Sequence, residues 1–248
     1  METAERVSDR SVENRFPPRL SIVVPCLNEE AVIVEALTAL DPLRRRGTEL
    51  ILVDGGSSDE TLALAGPWVD CVLTGLPGRA RQMNTGAGEA RGDILLFLHA
   101  DTRLPQNADD LIAGALGGGR VWGRFDVAIE GRHAMLRVVA RLMNLRSRLT
   151  GIATGDQAIF VSRRAFREIG GYPDLPLMED IALSRRLKSL GRPACLYERV
   201  TTSGRRWETQ GVWRTILLMW RLRFQYFLGA DAGRLAARYE AGRWSRTS

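Results

Sequence analysis

A regular alternation of short apolar segments with longer amphipathic segments is the feature that most constrains how this chain folds. Four early runs have the length and β-branched composition of strands buried on both faces. Segments with helical periodicity separate them, which indicates βαβ units and predicts an α/β fold with a mainly parallel sheet flanked by helices. The predicted strands are residues 20–25, 49–53, 71–74 and 93–98, and the predicted helices are residues 31–40, a helix starting near Ser57, and residues 79–90.

The second part of the chain is less regular. Beyond residues 107–116, alternating and amphipathic segments follow one another without a fixed rhythm. The predicted elements are strands at residues 121–127 and 157–162 and helices at residues 133–149, 179–190 and 213–228.

The charge balance favours anionic ligands without indicating nucleic acid. Lysine and arginine number 35 against 29 acidic residues, which gives a net charge of +6 and a pI near 9.9. Lys188 is the single lysine, so codon usage explains the arginines, and attraction to phosphate groups is compatible with that explanation. Because the arginines are dispersed without interleaved aromatic residues, we expect no nucleic-acid partner.

Cysteine spacing and the lack of long apolar runs indicate the compartment. Cys26, Cys71 and Cys195 form no CxxC pair, so we predict free thiols in a reducing environment. The polar N-terminal residues lack the apolar core of a signal peptide. No stretch approaches the roughly 20 apolar residues that span a bilayer. We therefore expect a cytoplasmic location, either soluble or peripheral at the inner face of the membrane.

Acidic and small polar residues follow three of the predicted strands. The first strand runs into PCLNEE, the second into DGGSSDET and the fourth into HAD. Ligands of open α/β sheets bind at these carboxyl ends. Mg²⁺ and Mn²⁺ prefer carboxylate and phosphate oxygens, so these residues suit a ribose, a base edge and a metal-bridged diphosphate.

Four longer phrases occur in a fixed order: SIVVPCLNEE, ILVDGGSSDET, FLHAD and GGYPDLPLMEDIALSRRLKSLG. Together they resemble family 2 glycosyltransferases of the GT-A fold, over residues 20–207. The phrases GRARQMNTGA, TGDQAIFVSRR and LPLMEDIALSRRL resemble one bacterial subgroup that is associated with radical-enzyme and selenium-related gene neighbourhoods. The resemblance implies a metal-dependent transferase of the hexosyl type that uses a UDP- or GDP-linked sugar and Mg²⁺ or Mn²⁺.

The resemblance also implies a domain plan. Residues 19–207 would form the GT-A domain, with a nucleotide-binding half at 19–106 and an acceptor half at 107–207. Residues 1–18 would form a flexible leader, and residues 208–248 a C-terminal helical tail.

Donor contacts are implied in the first half. Asp101 corresponds to the last acid of the DxD motif, which holds the metal on the diphosphate, and His99 replaces the first acid. Asp54 corresponds to an acid that faces the nucleoside, although Gly55 replaces a second acid found in many relatives. Arg79 opens a predicted helix, which suits the diphosphate. Pro25, Asn28 and Glu29 complete the predicted donor site, with a helix start as the alternative for Asn28 and Glu29.

The acceptor half supplies the implied catalytic group. Asp180, in a pair with Glu179, matches the base of inverting relatives, which takes the proton of the attacking hydroxyl. The alternative is that both acids only favour a helix N-terminus. Asp156 and Gln157 either line the sugar pocket with Glu179 or form a turn, and Trp207 is expected to cover the acceptor. Helix-start roles are also predicted for Ser57 and Glu60, which fit a capping box.

Two other functions compete with this interpretation. A sugar nucleotidyltransferase would carry a glycine-rich loop after the first strand, where this chain has PCLNEE. A catalytically silent nucleotide-binding scaffold would have no need for Asp54, Asp101 and Asp180 together.

The last predicted helix has a wide apolar face flanked by arginines. Its face either packs on the domain's own core or contacts a membrane surface, which would suit a lipid-linked acceptor. The residues on this face are Trp213, Ile216, Leu217, Trp220, Phe224 and Phe227, and an earlier helix adds Arg137, Arg141, Arg146 and Arg148.

Overall fold

A computed structural model describes residues 19–244, which contain eight strands and eleven α-helices. The predicted leader, residues 1–18, lies outside the described residues. The strands are β1 Leu20–Cys26, β2 Glu49–Asp54, β3 Cys71–Thr74, β4 Ile94–Phe97, β5 Thr102–Arg103, β6 Trp122–Glu130, β7 Phe160–Ser162 and β8 Ala194–Ser203. The helices are α1 Ile33–Thr38, α2 Asp41–Arg45, α3 Thr61–Ala65, α4 Arg79–Glu89, α5 Ala108–Gly117, α6 Met135–Thr150, α7 Arg163–Glu168, α8 Glu179–Leu187, α9 Arg205–Gln210, α10 Val212–Phe227 and α11 Ala232–Trp244.

The strands form one mixed, mostly parallel sheet in the order β3-β2-β1-β4-β7-β6-β8-β5. β1 pairs in parallel with β2 and β4, β2 with β3, and β6 with β8. β7 is antiparallel to both of its neighbours, and β5 is antiparallel to β8. The carboxyl ends of β1, β2 and β4 therefore meet at one edge, and the predicted α/β sheet flanked by helices is confirmed.

Two apolar clusters cover the two faces of the sheet, because alternate side chains of a strand point in opposite directions. On β1, Ile22 and Val24 belong to one cluster and Val23 to the other. Helix α4 packs so closely on the second face that a Cβ at Gly86 would lie 2.4 Å from Val23 Cγ1. The small residue therefore fixes the distance between this helix and the strands that end at the site.

The predicted elements of the first half are confirmed, with two corrections. The helix predicted at residues 31–40 is shorter, since α1 comprises Ile33–Thr38 and a turn precedes it, in which Asn28 has a left-handed φ of 53°. The capping-box prediction at Ser57 is wrong: α3 begins at Thr61, and Glu60 is its N-cap without a side-chain hydrogen bond.

Several later elements were not predicted, namely β5, β8, α7, α9 and α11. β8 is the longest strand, but exposed charged residues interrupt its middle, so its sequence lacks a clear apolar alternation. The small apolar cluster of Met178, Ile181, Leu222 and Leu235 joins α8 to α10 and α11. The C-terminal helices therefore pack on the domain beside the start of α8. Among the residues that the structure describes, no helix combines the length and the apolar character required to cross a bilayer.

Candidate active site

A cavity of about 560 Å³ opens at the carboxyl end of β4. Its walls come from the turn before β7, the start of α8, and helices α6, α9 and α10. It brings together seven of the predicted site residues: Arg79, His99, Asp101, Asp156, Glu179, Asp180 and Trp207. Residues more than a hundred positions apart in the sequence, such as Arg79 and Trp207, thus line the same cavity.

Asp101 lies exposed at the cavity wall, just before β5. Its Oδ1 accepts hydrogen bonds from Thr102 Oγ1 at 3.2 Å and Thr202 Oγ1 at 3.5 Å. The β5–β8 pairing therefore orients this carboxylate.

The Asp101 carboxylate could provide one metal ligand but not a complete metal site. No group of three or more His, Cys, Asp or Glu side chains that could hold a metal occurs within residues 19–244. Mg²⁺ commonly binds through only one or two carboxylates and completes its shell with substrate phosphates and water. Asp101 is a donor of this kind.

His99 and Asp156 face each other across the cavity wall, with 3.6 Å between His99 Nδ1 and Asp156 Oδ1. The ring lies so close to the turn that a Cβ at Gly155 would meet His99 Cε1 at 2.5 Å. Burial opposes ionisation of Asp156, but His99, Arg79 and Arg223 outweigh it and lower the pKa of Asp156 to about 2. Asp156 is therefore a fixed negative charge in the cavity at neutral pH.

Asp180 is held at the first turn of α8 by two backbone groups. Its Oδ2 accepts the N–H of Gly155 at 2.9 Å, and its Oδ1 accepts the N–H of Ile181 at 2.7 Å. The residue before the helix, Met178, has a left-handed φ of 66°, which turns the chain sharply into α8. The carboxylate keeps further lone pairs toward the cavity that it lines.

Glu179 is the buried partner of Asp180. Burial raises the pKa of Glu179, the charge of Asp180 raises it further, and Arg79 opposes both effects. Arg79 begins α4 and lies within electrostatic range of Glu179, Asp156 and Asp180. Arg81, by contrast, pairs with the exposed Asp174 at 2.8 Å, as expected of a surface charge.

The predicted nucleoside contacts lie at the ends of β1 and β2, outside this cavity. Asp54 is buried, and it shapes its own turn by accepting the N–H groups of Gly56 at 2.8 Å and Ser57 at 2.9 Å. Ser57 Oγ donates to Asp54 Oδ1 at 2.5 Å, and Asn28 Oδ1 accepts the N–H of Ser58 at 2.9 Å. The structure thus gives Asp54 and Asn28 a role in shaping the two loops.

Glu29 lies in the loop after β1 and is not among the residues that line the cavity. Its backbone N–H donates to Thr61 Oγ1 at 2.8 Å. Burial raises the pKa of the Glu29 carboxyl, and the charge of Asp101 raises it as well, so the two carboxyls are within electrostatic range. Pro25 is buried inside β1, opposite Val53 of β2.

Gln157 does not reach the cavity, because it is fully buried. Its side chain closes a capping box with Thr154 and donates to Asn144 Oδ1 at 3.2 Å. Of the two alternatives for this segment, the turn describes Gln157, while Asp156 does line the cavity.

Two further arginines, Arg146 and Arg223, also line the cavity, although Arg146 was expected to add charge beside the apolar helix face. Nε and Nη2 of Arg146 and Nε of Arg223 are buried and have no hydrogen-bond partner in the described part of the chain. Helical spacing could have indicated that Arg146 lines the cavity, because it lies one turn after Leu142 and Met143, which also line it.

Two exposed apolar stripes flank the mouth of the cavity, one on α6 and one on α10. Helix α10 does pack on the domain through Val212, Ile216 and Leu222, as one alternative predicted, whereas most residues of the predicted apolar face are exposed. We call Val138, Leu142, Leu145 and Leu149 the α6 stripe, and Trp213, Leu217, Trp220, Phe224 and Phe227 the α10 stripe.

The arginines of α6 divide into two kinds. Arg137 and Arg141 are exposed. Arg148 is instead held against the sheet, with Nη2 donating to Asp126 Oδ2 at 2.8 Å and its guanidinium 3.7 Å from the Tyr197 ring centroid. Of the four arginines expected to add surface charge on this helix, only Arg137 and Arg141 are exposed.

Comparison with known proteins gives a family match. The model described as Glycosyl transferase family 2 matches residues 21–170. The probable glycosyltransferase YdaM of Bacillus subtilis is 28% identical over 241 residues, covering 86% of this chain and 55% of that protein. A PGL/p-HBAD biosynthesis glycosyltransferase of Mycobacterium bovis is 38% identical over 94 residues, covering 35% and 37% respectively. The chain thus spans about half of the first relative's length and less of the second's.

Solved structures share the fold at low sequence identity. A mannosyltransferase of Pyrobaculum calidifontis, in complex with GDP-Man and Mn²⁺, has a TM-score of 0.56 at 22% identity, over 75% of this chain and 57% of that one. Glucosyl-3-phosphoglycerate synthase of Mycobacterium tuberculosis, with Mn²⁺, UDP and its product, has a TM-score of 0.56 at 24% identity, over 75% and 71%. These likenesses show a GT-A-like fold.

Proposed function

Because the chain belongs to glycosyl transferase family 2, we propose that it transfers a sugar from a UDP- or GDP-linked donor to a hydroxyl acceptor with the help of Mg²⁺ or Mn²⁺. The observation that carries this proposal is the meeting of Asp101, Arg79 and Asp180 in one cavity at the carboxyl ends of the strands. Each of these groups matches one requirement of sugar transfer: a metal ligand, a cation for the diphosphate and a base.

The donor diphosphate would lie between Asp101 and Arg79. Asp101 would hold the divalent cation, which when bound neutralises the charge that develops on the departing diphosphate. Arg79, at the N-terminus of α4, would bind the same group through its guanidinium and the helix dipole. Glu29 and the loops after β1 and β2 would face the nucleoside.

Asp180 would act as the base of an inverting transfer. The acceptor oxygen would bond to the anomeric carbon as the bond from that carbon to the diphosphate oxygen breaks. The hydroxyl proton would pass to Asp180, and the nucleoside diphosphate would leave. The two backbone N–H groups that bind Asp180 support this role, because they hold the carboxylate in place at the cavity wall.

Binding of the donor tests the metal assignment. We expect Asp101→Asn to keep the fold and to lose most of the Mn²⁺-stimulated binding of UDP and GDP, because the amide is a weaker cation ligand. Calorimetry with and without Mn²⁺ measures this. Asp93→Asn is the matched control, since Asp93 is an exposed acid that precedes the first residue of β4, whereas Asp101 follows the last. Unchanged binding by Asp101→Asn contradicts the assignment, and Mn²⁺-dependent hydrolysis of donor sugars separates an enzyme from a silent scaffold.

We further propose that the acceptor is lipid-linked and that the protein works at the cytoplasmic face of a membrane. The α6 and α10 stripes support this, because exposed tryptophan and phenylalanine suit the lipid headgroup region. The exposed Arg137, Arg141 and Arg221 lie on the same two helices, where they would attract anionic lipids.

A further inference from the structure

Two arginines, Arg146 and Arg223, line the cavity. Arg146 reaches it from α6 and Arg223 from α10, so the two elements that form the apolar walls each contribute one guanidinium. Three of their side-chain nitrogens are buried and lack a hydrogen-bond partner among the described residues. Buried donors are normally satisfied, and an unsatisfied one costs about 1–3 kcal/mol, more for a charged group.

The surroundings of Arg146 disfavour its positive charge, even though two carboxylates lie within electrostatic range. Burial and then the charge of Arg223 lower the pKa of Arg146 to about 10, although Asp180 and Asp156 oppose the change. The two cations therefore repel each other in a partly enclosed space. Burying a second arginine beside the first is unfavourable unless a ligand pairs with both.

The surroundings of the pair place it on the acceptor side of the cavity. Arg79 belongs to α4 and the nucleotide-binding half, whereas Arg146 and Arg223 belong to helices whose other cavity residues are apolar. Leu142 and Met143 lie one turn before Arg146, and Met219 and Trp220 lie one turn before Arg223. An anion bound here would carry apolar substituents toward the mouth between the two stripes.

We propose that Arg146 and Arg223 bind a phosphate group of the acceptor, and that the acceptor is an amphiphile whose apolar part lies between α6 and α10. A phosphate monoester carries about −1.5 to −2 charge at neutral pH, which matches two guanidinium groups better than a carboxylate does. Arginine binds phosphate through paired N–H donors. This inference rests on the proposed function, because it assigns the acceptor of the same transfer.

Octyl phosphate is a probe that contains both chemical features. We expect wild-type protein, loaded with UDP and Mn²⁺, to bind octyl phosphate more tightly than inorganic phosphate or glycerol phosphate. Arg146→Gln and Arg223→Gln should each weaken octyl phosphate binding about 10- to 100-fold, because each removes a charge-assisted pair. Arg164→Gln and Arg167→Gln, at exposed positions of α7 that do not line the cavity, should leave it unchanged. Calorimetry measures all of these affinities.

The source of the phosphate is distinguished by comparing the probes. Tighter binding of octyl phosphate indicates a lipid phosphate, whereas equal binding of glycerol phosphate overturns the amphiphile and indicates a soluble phosphate ester. 1-Octanol should bind equally to wild type and to both glutamine variants, since it contacts only the apolar walls.

The melting temperature of the glutamine variants distinguishes a ligand-binding role of the two arginines from a structural one. If the arginines serve a ligand, their replacement by glutamine should keep or raise the melting temperature of the free protein while octyl phosphate binding falls. A lower melting temperature with unchanged octyl phosphate binding overturns the proposal. Weaker UDP–Mn²⁺ binding with unchanged octyl phosphate binding also overturns it, because the pair then belongs to the donor site. Failure of wild type to bind UDP or GDP with Mn²⁺ contradicts the proposed function itself, independently of this pair.

Discussion

Aspartates at the ends of strands and helices have different roles in this chain, and their hydrogen bonds distinguish those roles. Asp54 is buried, and both of its oxygens accept hydrogen bonds from its own turn. Asp180 also accepts two backbone N–H groups, yet it lines the cavity together with Asp101 and Asp156. A carboxylate has about four acceptor positions, so Asp180 can be oriented by the backbone and still accept a proton from a substrate.

Asp180→Asn should act on turnover rather than on donor affinity. An amide of the same shape cannot take the proton of the acceptor hydroxyl, so we expect the transfer rate to fall about 10²–10⁴-fold. The dissociation constant of the Mn²⁺-nucleotide complex should stay the same. Single-turnover kinetics with the true acceptor measures the rate, and Asp174→Asn is a matched control because Asp174 is exposed and pairs with the surface residue Arg81. Wild-type turnover in Asp180→Asn would favour a retaining mechanism, which the anomeric configuration of the product would reveal by NMR.

At the scale of elements, the sequence predicts what short-range patterns determine. Strands β1 to β4 consist mostly of consecutive apolar residues, so their positions could be predicted from the sequence. The residues that follow them could then be assigned to the carboxyl edge of the sheet, where the site lies. β8 was missed because its burial alternates only near its end. The position of Arg146 in the cavity was missed, and the turn at Gln157 was predicted only as one of two alternatives, because both depend on how α6 docks on β6, a contact that no local pattern encodes.

A buried polar network makes that docking specific. Asn144 Oδ1 accepts the N–H of Val127 at 2.9 Å, and its Nδ2 donates to the Val127 carbonyl at 3.0 Å. The same amide contacts Gln157 in the turn that carries Asp156. Arg124, buried beside it in β6, pairs with Asp126 and donates to Ser147 Oγ. One helix thereby fixes both the sheet and a wall of the cavity.

Removing this amide should destabilise the protein. In Asn144→Ala, the N–H and the carbonyl of Val127 lose their partner in a dry environment. We expect the free energy of unfolding to fall by about 1–3 kcal/mol or more, since at least one buried polar group is left unsatisfied. Urea unfolding followed by circular dichroism measures this. Arg141→Ala, on the exposed face of the same helix, should change stability by less than about 0.5 kcal/mol. Equal stability of Asn144→Ala and wild type would show that α6 is held by its apolar contacts alone.

At the scale of the whole molecule, polar and apolar surfaces meet at the cavity. The carboxyl ends of the strands supply acids and Arg79 on one side, whereas α6 and α10 supply apolar walls that continue onto the exposed stripes. Contiguous exposed apolar patches commonly mark an interaction site. The motifs of the family resemblance predicted the polar residues of the cavity. Its apolar walls were not predicted, because they form only where α6 and α10, which are far apart in sequence, line the same cavity.

Vesicle flotation tests whether this apolar side meets a membrane. We expect the full chain to float with anionic vesicles at low salt, because the α10 stripe would enter the headgroup region while exposed arginines attract the lipid phosphates. Flotation should weaken as salt screens the charges, and it should be lost when Trp213, Trp220 and Phe224 are all changed to serine.

Leu64 and Leu76 are exposed leucines outside both stripes, so changing them to serine provides the control, and that variant should float like wild type. If the unaltered protein stays at the bottom of the gradient at low salt, the stripes do not bind lipid. The apolar cavity would then have to receive a soluble amphiphile, and octyl phosphate binding by Arg146 and Arg223 would be unaffected by that result. The two measurements therefore separate where the protein works from what its acceptor carries.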